Sequence, residues 1–284
     1  MEVKLVVCDM DGTLLNSQKE ISPRSLAAIQ LARDNDIYVT ICSGRIFSML
    51  ECYWQQLGIH GPIIASNGAQ IFDTVSGKTV WGAPMKNRQA IDLMAFCALH
   101  NLDGMALCED GCYFFHSSGR LERFTNYNSI AARSGYKPIP ITFLHGVQDC
   151  ELLADKIIYK VLVSRLHDGD EQLVIDQFLC DQPELDYTMS DVGLLDISAK
   201  GINKGTGLVH LAEQMGIPLE NCCAIGDFDN DLSMIEVAGL GVAMGNGCDR
   251  VKAIAQLITD TNDNDGVAKV LEQLCRKDEV SYEV

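Results

Sequence analysis

The sequence predicts an α/β protein: a doubly wound parallel-sheet core interrupted by an inserted α+β module. Three observations carry that expectation. Over roughly the first eighty residues, short apolar runs alternate with amphipathic helical segments, the rhythm of a parallel sheet covered by helices. Between about residues 84 and 191 the rhythm gives way to mixed segments, and afterwards it returns. Acidic clusters directly follow two of the apolar runs, where ligands gather in such sheets. The length of 284 residues fits this as two modest domains, with 1–83 and 192–284 forming a Rossmann-like core and 84–191 the insertion.

The elements follow in order. Lys4–Cys8 (KLVVC) reads as a buried strand. Ser22 then caps a helix with Pro23 at its first position, Leu26, Ile29 and Ala32 marking the inner face before the charged end at Arg33. Ile37–Cys42 is a second strand, Ile46–Leu57 a second helix, and Pro62–Ala65 a third strand of the same parallel sheet. Gln70–Trp81 reads as a hairpin turning at Ser76 and Gly77. In the insertion, Asn87–His100 and Asp168–Cys180 are helical, while Met105–Cys108, Tyr113–His116, Ile157–Ser164 and Tyr187–Ser190 are strands. The parallel rhythm resumes after Leu194–Ile197. Helices Lys204–Met215, Asp231–Ala238, Asp249–Ala255 and Gly266–Arg276 then alternate with strands Cys222–Ile225, Gly241–Met244 and Leu257–Thr259.

Composition excludes several classes. Hydrophobic residues make up 47% and charged residues 21%, a globular balance. No apolar run approaches the ~18–20 residues that cross a bilayer, and Asp9 and Asp11 interrupt the short apolar start, which argues against a signal peptide. The formal charge of −17 repels polyanions, so neither nucleic acid nor an anionic membrane is an expected partner. A small phosphorylated substrate would need a metal or placed cations to reverse that field locally. Twelve cysteines without a CxxC pair read as buried thiols of a reducing compartment, the cytoplasm. Cys108 and Cys112 lack a second ligand pair and the six histidines are scattered, so no zinc site is expected. No heptad run or exposed apolar stripe fixes an oligomeric state.

Chemistry concentrates at the strand ends. Asp9-Met10-Asp11-Gly12-Thr13 follows the first strand; two carboxylates there can share a metal or divide nucleophile and acid/base roles. Gly12 permits a sharp turn, and Thr13 offers a hydroxyl to a phosphate oxygen, although the same residues also suit a strand-end turn or a helix cap. Gly226-Asp227-Phe228-Asp229-Asn230-Asp231 follows Cys222–Ile225 with several oxygen ligands for a hard divalent cation, and it lacks the Gly and Glu positions of an EF-hand. Ser43-Gly44-Arg45 and Asn67-Gly68 offer a hydroxyl, an amide and backbone N–H groups suited to phosphate. Gly201–Thr206 has Lys204 before Gly205, the wrong order for a P-loop, so Lys204 reads as the start of a helix with its ammonium available to a site.

These motifs, in this order, resemble the haloacid dehalogenase-like phosphatases, and within them the Cof-type group of subfamily IIB. The resemblance rests on DMDGT (9–13), SGR (43–45), Lys204 and GDFDND (226–231), with SNGA (66–69), GVAMGNG (241–247) and DGVAKVLEQL (265–274) in support. It implies a C2-type α/β cap in the insertion and a Mg²⁺-dependent phosphatase of small metabolites, sugar phosphates foremost. It further implies Asp9 as nucleophile and Asp11 as general acid and base. Asp9, the Asp11 backbone carbonyl and Asp227 would hold the Mg²⁺, with Asp231 behind them. Thr13, Ser43, Gly44, Asn67 and Lys204 would bind the phosphoryl group, and Asn230 would join them and orient the network. Asp11 separates this chain from aspartyl-phosphate ion pumps, which carry Thr there, and from dehalogenases.

Two alternatives carry distinct signatures. A hexose-phosphate mutase of the phosphomannomutase type shares the core and would need a second phosphate site, for which Arg120, Arg123 and Arg133 are the candidates. A phosphate-responsive binding module also phosphorylates an Asp at a strand end, but it is far shorter and lacks the cap. Substrate-reading residues are expected in the cap, around Glu109–Tyr113 or His116, with Met105, Phe114 and Phe115 in the cap's own core.

Overall fold

A computed structural model describes residues 2–115, 118–133, 135–164, 171–191 and 193–276. In the first third are β1 (Leu5–Cys8), α1 (Pro23–Asp34), β2 (Tyr38–Ile41), α2 (Glu51–Gln56), β3 (Pro62–Ala65), β4 (Gln70–Asp73), β5 (Lys78–Gly82) and α3 (Asn87–Leu99). The middle carries β6 (Asp103–Cys108), β7 (Gly111–Phe115), α4 (Leu121–Arg133), β8 (Ile141–Leu144), β9 (Ile158–Ser164), α5 (Glu171–Cys180), β10 (Leu185–Asp191) and β11 (Leu194–Ala199). The last third holds α6 (Lys204–Met215), β12 (Cys222–Gly226), α7 (Leu232–Val237), β13 (Leu240–Ala243), α8 (Asp249–Ile254), β14 (Leu257–Ile258) and α9 (Gly266–Cys275). The chain divides into two compact units, Met1–Cys42 with Leu208–Val284, and Ser43–Gly207. His116, and the start of the helix expected from Asp168, lie outside the described residues.

The first unit is built on a five-stranded sheet of order β14-β13-β12-β1-β2, parallel throughout. Its centre must be apolar on both faces, and every residue of β1 and β12 is buried. The helices pack in two groups, α1 with α9 and α7 with α8. Ser22 caps α1 as expected, its Oγ accepting the Ser25 N–H at 3.0 Å, with Pro23 entering at the first turn. The inward face then falls on Ser25, Ala28, Ile29 and Ala32.

The second unit has a six-stranded sheet of order β10-β11-β9-β6-β7-β8, antiparallel except for the β7–β8 pair, and a three-stranded antiparallel sheet β3-β4-β5. On one face of the larger sheet, Ala106, Cys108, Val161, Val163, Leu195 and Ile197 pack under α3 and α5. On the other, Met105, Leu107, Cys112, Phe114, Leu162 and Leu194 pack against Phe124, Tyr127 and Ala131 of α4.

Several elements depart from expectation. Pro62–Ala65 is a strand, but it pairs antiparallel with β4 and not within the parallel sheet. The segment after β2 takes the neighbouring place: Ser43 N–H donates to the Ile64 carbonyl, and Ser66 N–H to the Arg45 carbonyl. The helix expected over Ile46–Leu57 is split into a 3₁₀ turn at Phe47–Met49 and the short α2, since Phe47 stacks on Phe72 at 4.4 Å while Ile46 and Met49 join the α4 core. As expected, the parallel rhythm resumes after Leu194–Ile197, which lies in the antiparallel sheet as part of β11, with α6 next. The hairpin forms as expected, with Gly77 at φ 67° in its turn.

Candidate active site

In the first unit the acidic motifs meet at the carboxyl ends of β1 and β12. Asp9 continues β1, its N–H donating to the Ile225 carbonyl at 2.9 Å, which brings the two strand ends level. Asp9, Asp227 and Asp231 each present a carboxylate oxygen within 4.8 Å of the others. Asp231 is fully buried and its Oδ2 accepts the backbone N–H groups of Asp227 at 2.8 Å and Phe228 at 3.0 Å, so it sets the turn that aims Asp227. Asn230 is buried beside it, 8% exposed. Three carboxylates this close repel one another, a repulsion that a bound cation would relieve. An all-oxygen donor set of this charge fits a hard divalent ion.

Gly12 makes the approach possible. Its φ is +87°, and a Cβ there would lie 2.3 Å from Asp227 Oδ2. Thr13 is buried and its hydroxyl donates to Asp227 Oδ1 at 2.6 Å. The Thr13 hydroxyl thus faces the acidic cluster. Asp11 is half-buried in that turn and paired with Lys19 at 2.9 Å. Burial and then the Asp9 charge push the Cys8 thiol up to about 12, so the cysteine beside Asp9 stays a neutral packing residue.

In the second unit a different set gathers. Ser43 is buried, its Oγ accepting the Arg45 N–H at 3.2 Å and its carbonyl accepting the Asn67 N–H at 2.9 Å. Asn67 holds a left-handed φ of 54° and lies against Gly44, where a Cβ would come 2.9 Å from its Oδ1. A Cβ on Gly68 would meet the Asn203 carbonyl at 2.0 Å, so the turn at Asn67 packs directly on the residue before Lys204. Lys204 opens α6 and is 1% exposed. Backbone segments widely separated in sequence, at Ser43, Asn67 and Asn203, are thereby neighbours.

Three side chains whose residue types carry no functional signal shape the first unit's turn. Asn246 donates to the Gly12 carbonyl at 2.7 Å and accepts the Asn262 N–H at 2.9 Å, while Asn262 donates to the Leu15 carbonyl at 2.9 Å. Lys19, at φ 62°, is the third, through Asp11. The Asn-Gly pair at 246–247 is a turn signal that hinted at the first.

Comparison with known proteins adds identity to this geometry. The sequence profile of the family described as haloacid dehalogenase-like hydrolase matches residues 6–271. The chain belongs to that family. A 5-amino-6-(5-phospho-D-ribitylamino)uracil phosphatase of Bacillus subtilis, YitU, is 33% identical, the alignment covering 96% of this chain and 98% of that protein. The pyridoxal phosphate phosphatase YbhA of Escherichia coli is 29% identical over 95% of this chain and 98% of its own. The structure of a haloacid dehalogenase-like hydrolase from B. subtilis superposes with a TM-score of 0.83 at 29% identity, over 96% of this chain and 100% of that one. This haloacid dehalogenase-like protein is an enzyme, a phosphatase, and no helix among its described residues is long and apolar enough to cross a membrane.

Proposed function

We propose that this phosphatase is Mg²⁺-dependent and hydrolyses small phosphorylated metabolites, sugar phosphates foremost, through an aspartyl-phosphate on Asp9. The observation that carries the reading is the Asp9, Asp227 and Asp231 cluster at the ends of two adjacent parallel strands. Asp9 attacks phosphorus in line and the ester oxygen leaves. Asp11 protonates that oxygen, then takes a proton from the water that releases phosphate. Thr13, Ser43, Gly44, Asn67, Asn230 and Lys204 bind the phosphoryl oxygens, and residues 84–191 act as the cap that selects substrate. Asp9, Asp227 and the Asp11 carbonyl, with Asp231 behind them, would hold Mg²⁺, whose positive charge would let a phosphate approach these carboxylates. The relatives act on a phosphoribitylamino compound and on pyridoxal phosphate by name, which supports the small-metabolite class. The acidic composition and free cysteines support a cytoplasmic setting.

The test is phosphate release from sugar phosphates, nucleotides and an aryl phosphate, with and without Mg²⁺. Release that needs Mg²⁺ and vanishes in Asp9→Asn supports the reading. Release that survives Asp9→Asn, or that is indifferent to chelator, overturns it.

A further inference from the structure

The turn between β3 and β4 is held in a conformation that its residues do not favour. Ala65 pairs with Gln70, and between them Ser66, Asn67 and Gly68 take φ of 52°, 54° and 93°. Gly68 is at home there, but two consecutive L-residues in the left-handed region are strained. Such backbone persists only where its surroundings fix it from several sides. On one side the Ser66 and Asn67 N–H groups donate to the carbonyls of Arg45 and Ser43 at 2.8 and 2.9 Å. On the other side stands Gln70, whose backbone closes the turn and whose side chain is fully buried.

That side chain begins a relay. Gln70 Nε2 donates to Thr79 Oγ1 of β5 at 2.8 Å, and the Thr79 hydroxyl donates in turn to Glu109 Oε1 at 2.8 Å. Glu109 directly follows β6, and the same oxygen lies 3.4 Å from Gln70 Nε2 and 3.4 Å from the Tyr159 hydroxyl of β9. Burial pushes the Tyr159 phenol up to about 12, so it stays protonated as a donor. Glu109 belongs to the stretch expected to read substrate, yet its Oε1 serves donors of its own chain. Packing alone does not account for this arrangement. Gln70 Oε1 is buried with no hydrogen-bond partner among the described residues, a cost that an apolar side chain would avoid.

We propose that Glu109 is a positioning residue for the phosphatase: through Thr79 and Gln70 it holds the Ser66–Gly68 turn in its left-handed form and so keeps Asn67 where it can meet the phosphoryl group. The proposal rests on the reading of Asn67 as a phosphoryl-binding residue. The two short bonds of the relay point the same way, from amide to hydroxyl to carboxylate, the arrangement in which successive hydrogen bonds strengthen one another. The phosphoryl group is common to every ester, so a loosened turn weakens all substrates by the same factor. The acidic cluster is shaped by Gly12 and Asp231 and draws nothing from this relay, so the Mg²⁺ requirement stays as it is.

Glu109→Ala is compared with Glu109→Gln, which keeps an oxygen for the Thr79 hydroxyl, and with Thr79→Val, which removes the middle of the relay. Exchange of the backbone amide hydrogens of residues 66–70 reads the turn directly. Its effect is read by kcat/KM on an aryl phosphate and on ribitol 5-phosphate, and by calorimetric binding of inorganic phosphate with Mg²⁺ present. Glu109→Ala and Thr79→Val are expected to speed that exchange and to lower kcat/KM about tenfold on both esters, the worth of a hydrogen bond to a carboxylate. Phosphate binding should weaken in step, the Mg²⁺ requirement should not move, and Glu109→Gln should recover most of the loss. With Asn67→Ala already in place, Glu109→Ala should cost almost nothing more. Unchanged exchange overturns the proposal, and so does faster exchange with full activity and full phosphate binding. A loss that differs between the two esters overturns it in favour of a substrate contact, and a tenfold loss that persists beside Asn67→Ala shows that Glu109 does not act through Asn67. Absence of release by the unmodified protein refutes hydrolysis alone, since exchange and the phosphate titration still decide on Glu109.

Discussion

Replacing Gly12 by Ala tests the acidic cluster through its backbone. The new Cβ would lie 2.3 Å from Asp227 Oδ2 and 2.8 Å from its Cγ. Carbon and oxygen tolerate no approach much under 3 Å, so the Asp227 carboxylate must retreat by at least about 0.7 Å. That displacement breaks the Thr13 hydrogen bond of 2.6 Å and opens the triad with Asp9 and Asp231. Misplacing a reacting or ligating group by about 1 Å costs on the order of a hundredfold in rate. The backbone cost is separate: an L-residue at φ +87° is strained by about 1–2 kcal/mol, roughly 2–8 °C in Tm for a chain of this size. The assay is kcat/KM on an aryl phosphate against Mg²⁺ concentration, beside thermal unfolding. The expected result is a fall of about a hundredfold in kcat/KM, a raised Mg²⁺ requirement and a modest drop in Tm. A Gly12→Ala protein with full activity and an unchanged Mg²⁺ requirement would refute the claim that this contact sets the cluster.

Three further outcomes follow from the same geometry. Asp231→Asn keeps an oxygen for the Asp227 and Phe228 N–H groups but removes a charge, so the fold should survive while divalent-ion affinity, read by calorimetry, falls about 10–100-fold. Asn246→Ala releases the Gly12 carbonyl and the Asn262 N–H together; kcat/KM should fall by about tenfold with little change in Tm, and an unaltered Mg²⁺ dependence would count against a positioning role. Burial holds the thiols of Cys8 at about 12 and of Cys150 and Cys222 at about 11. Unfolded thiols ionise near ~8.5, so their contribution is complete below that pH and is lost as pH rises toward 11–12. The urea midpoint should therefore decline between pH 8 and 10, and the decline should be shallower in Cys222→Ala.

Local chemistry makes much of this protein legible in its sequence. An apolar run ending in Asp-x-Asp-Gly or Gly-Asp-x-Asp states both a strand and what lies at its end, and β1 and β12 delivered both. The partner of a strand is another matter. Pro62–Ala65 reads identically whether it joins a parallel sheet or folds back on β4; the antiparallel ladder from Pro62↔Asp73 to Ala65↔Gln70 decides, and apolar pattern alone does not signal it. The helix α4 has Phe124, Tyr127 and Ala131 buried among 13 residues, too thin a stripe to announce itself. Lys160 is conspicuous in an apolar strand, yet it pairs with Asp196, 36 residues away. Thr13 and Asp227 are separated by 214 residues, so no window of sequence reveals that one hydroxyl serves the other's carboxylate.

The strand order of the parallel sheet also has a consequence in time. β1 bonds to β2 on one side and to β12 on the other, so the second edge of a wholly apolar strand has no partner until the last third of the chain exists. At roughly 5–20 residues per second, the 214 residues that separate Thr13 from Asp227 take about 10–40 s to emerge from the ribosome. During that interval Ser43–Gly207 can assemble from its own contacts, while the first 42 residues wait. Until then one edge of β1 lacks the partner that the folded sheet gives it, and the acidic centre is among the last parts of the enzyme that can come into being.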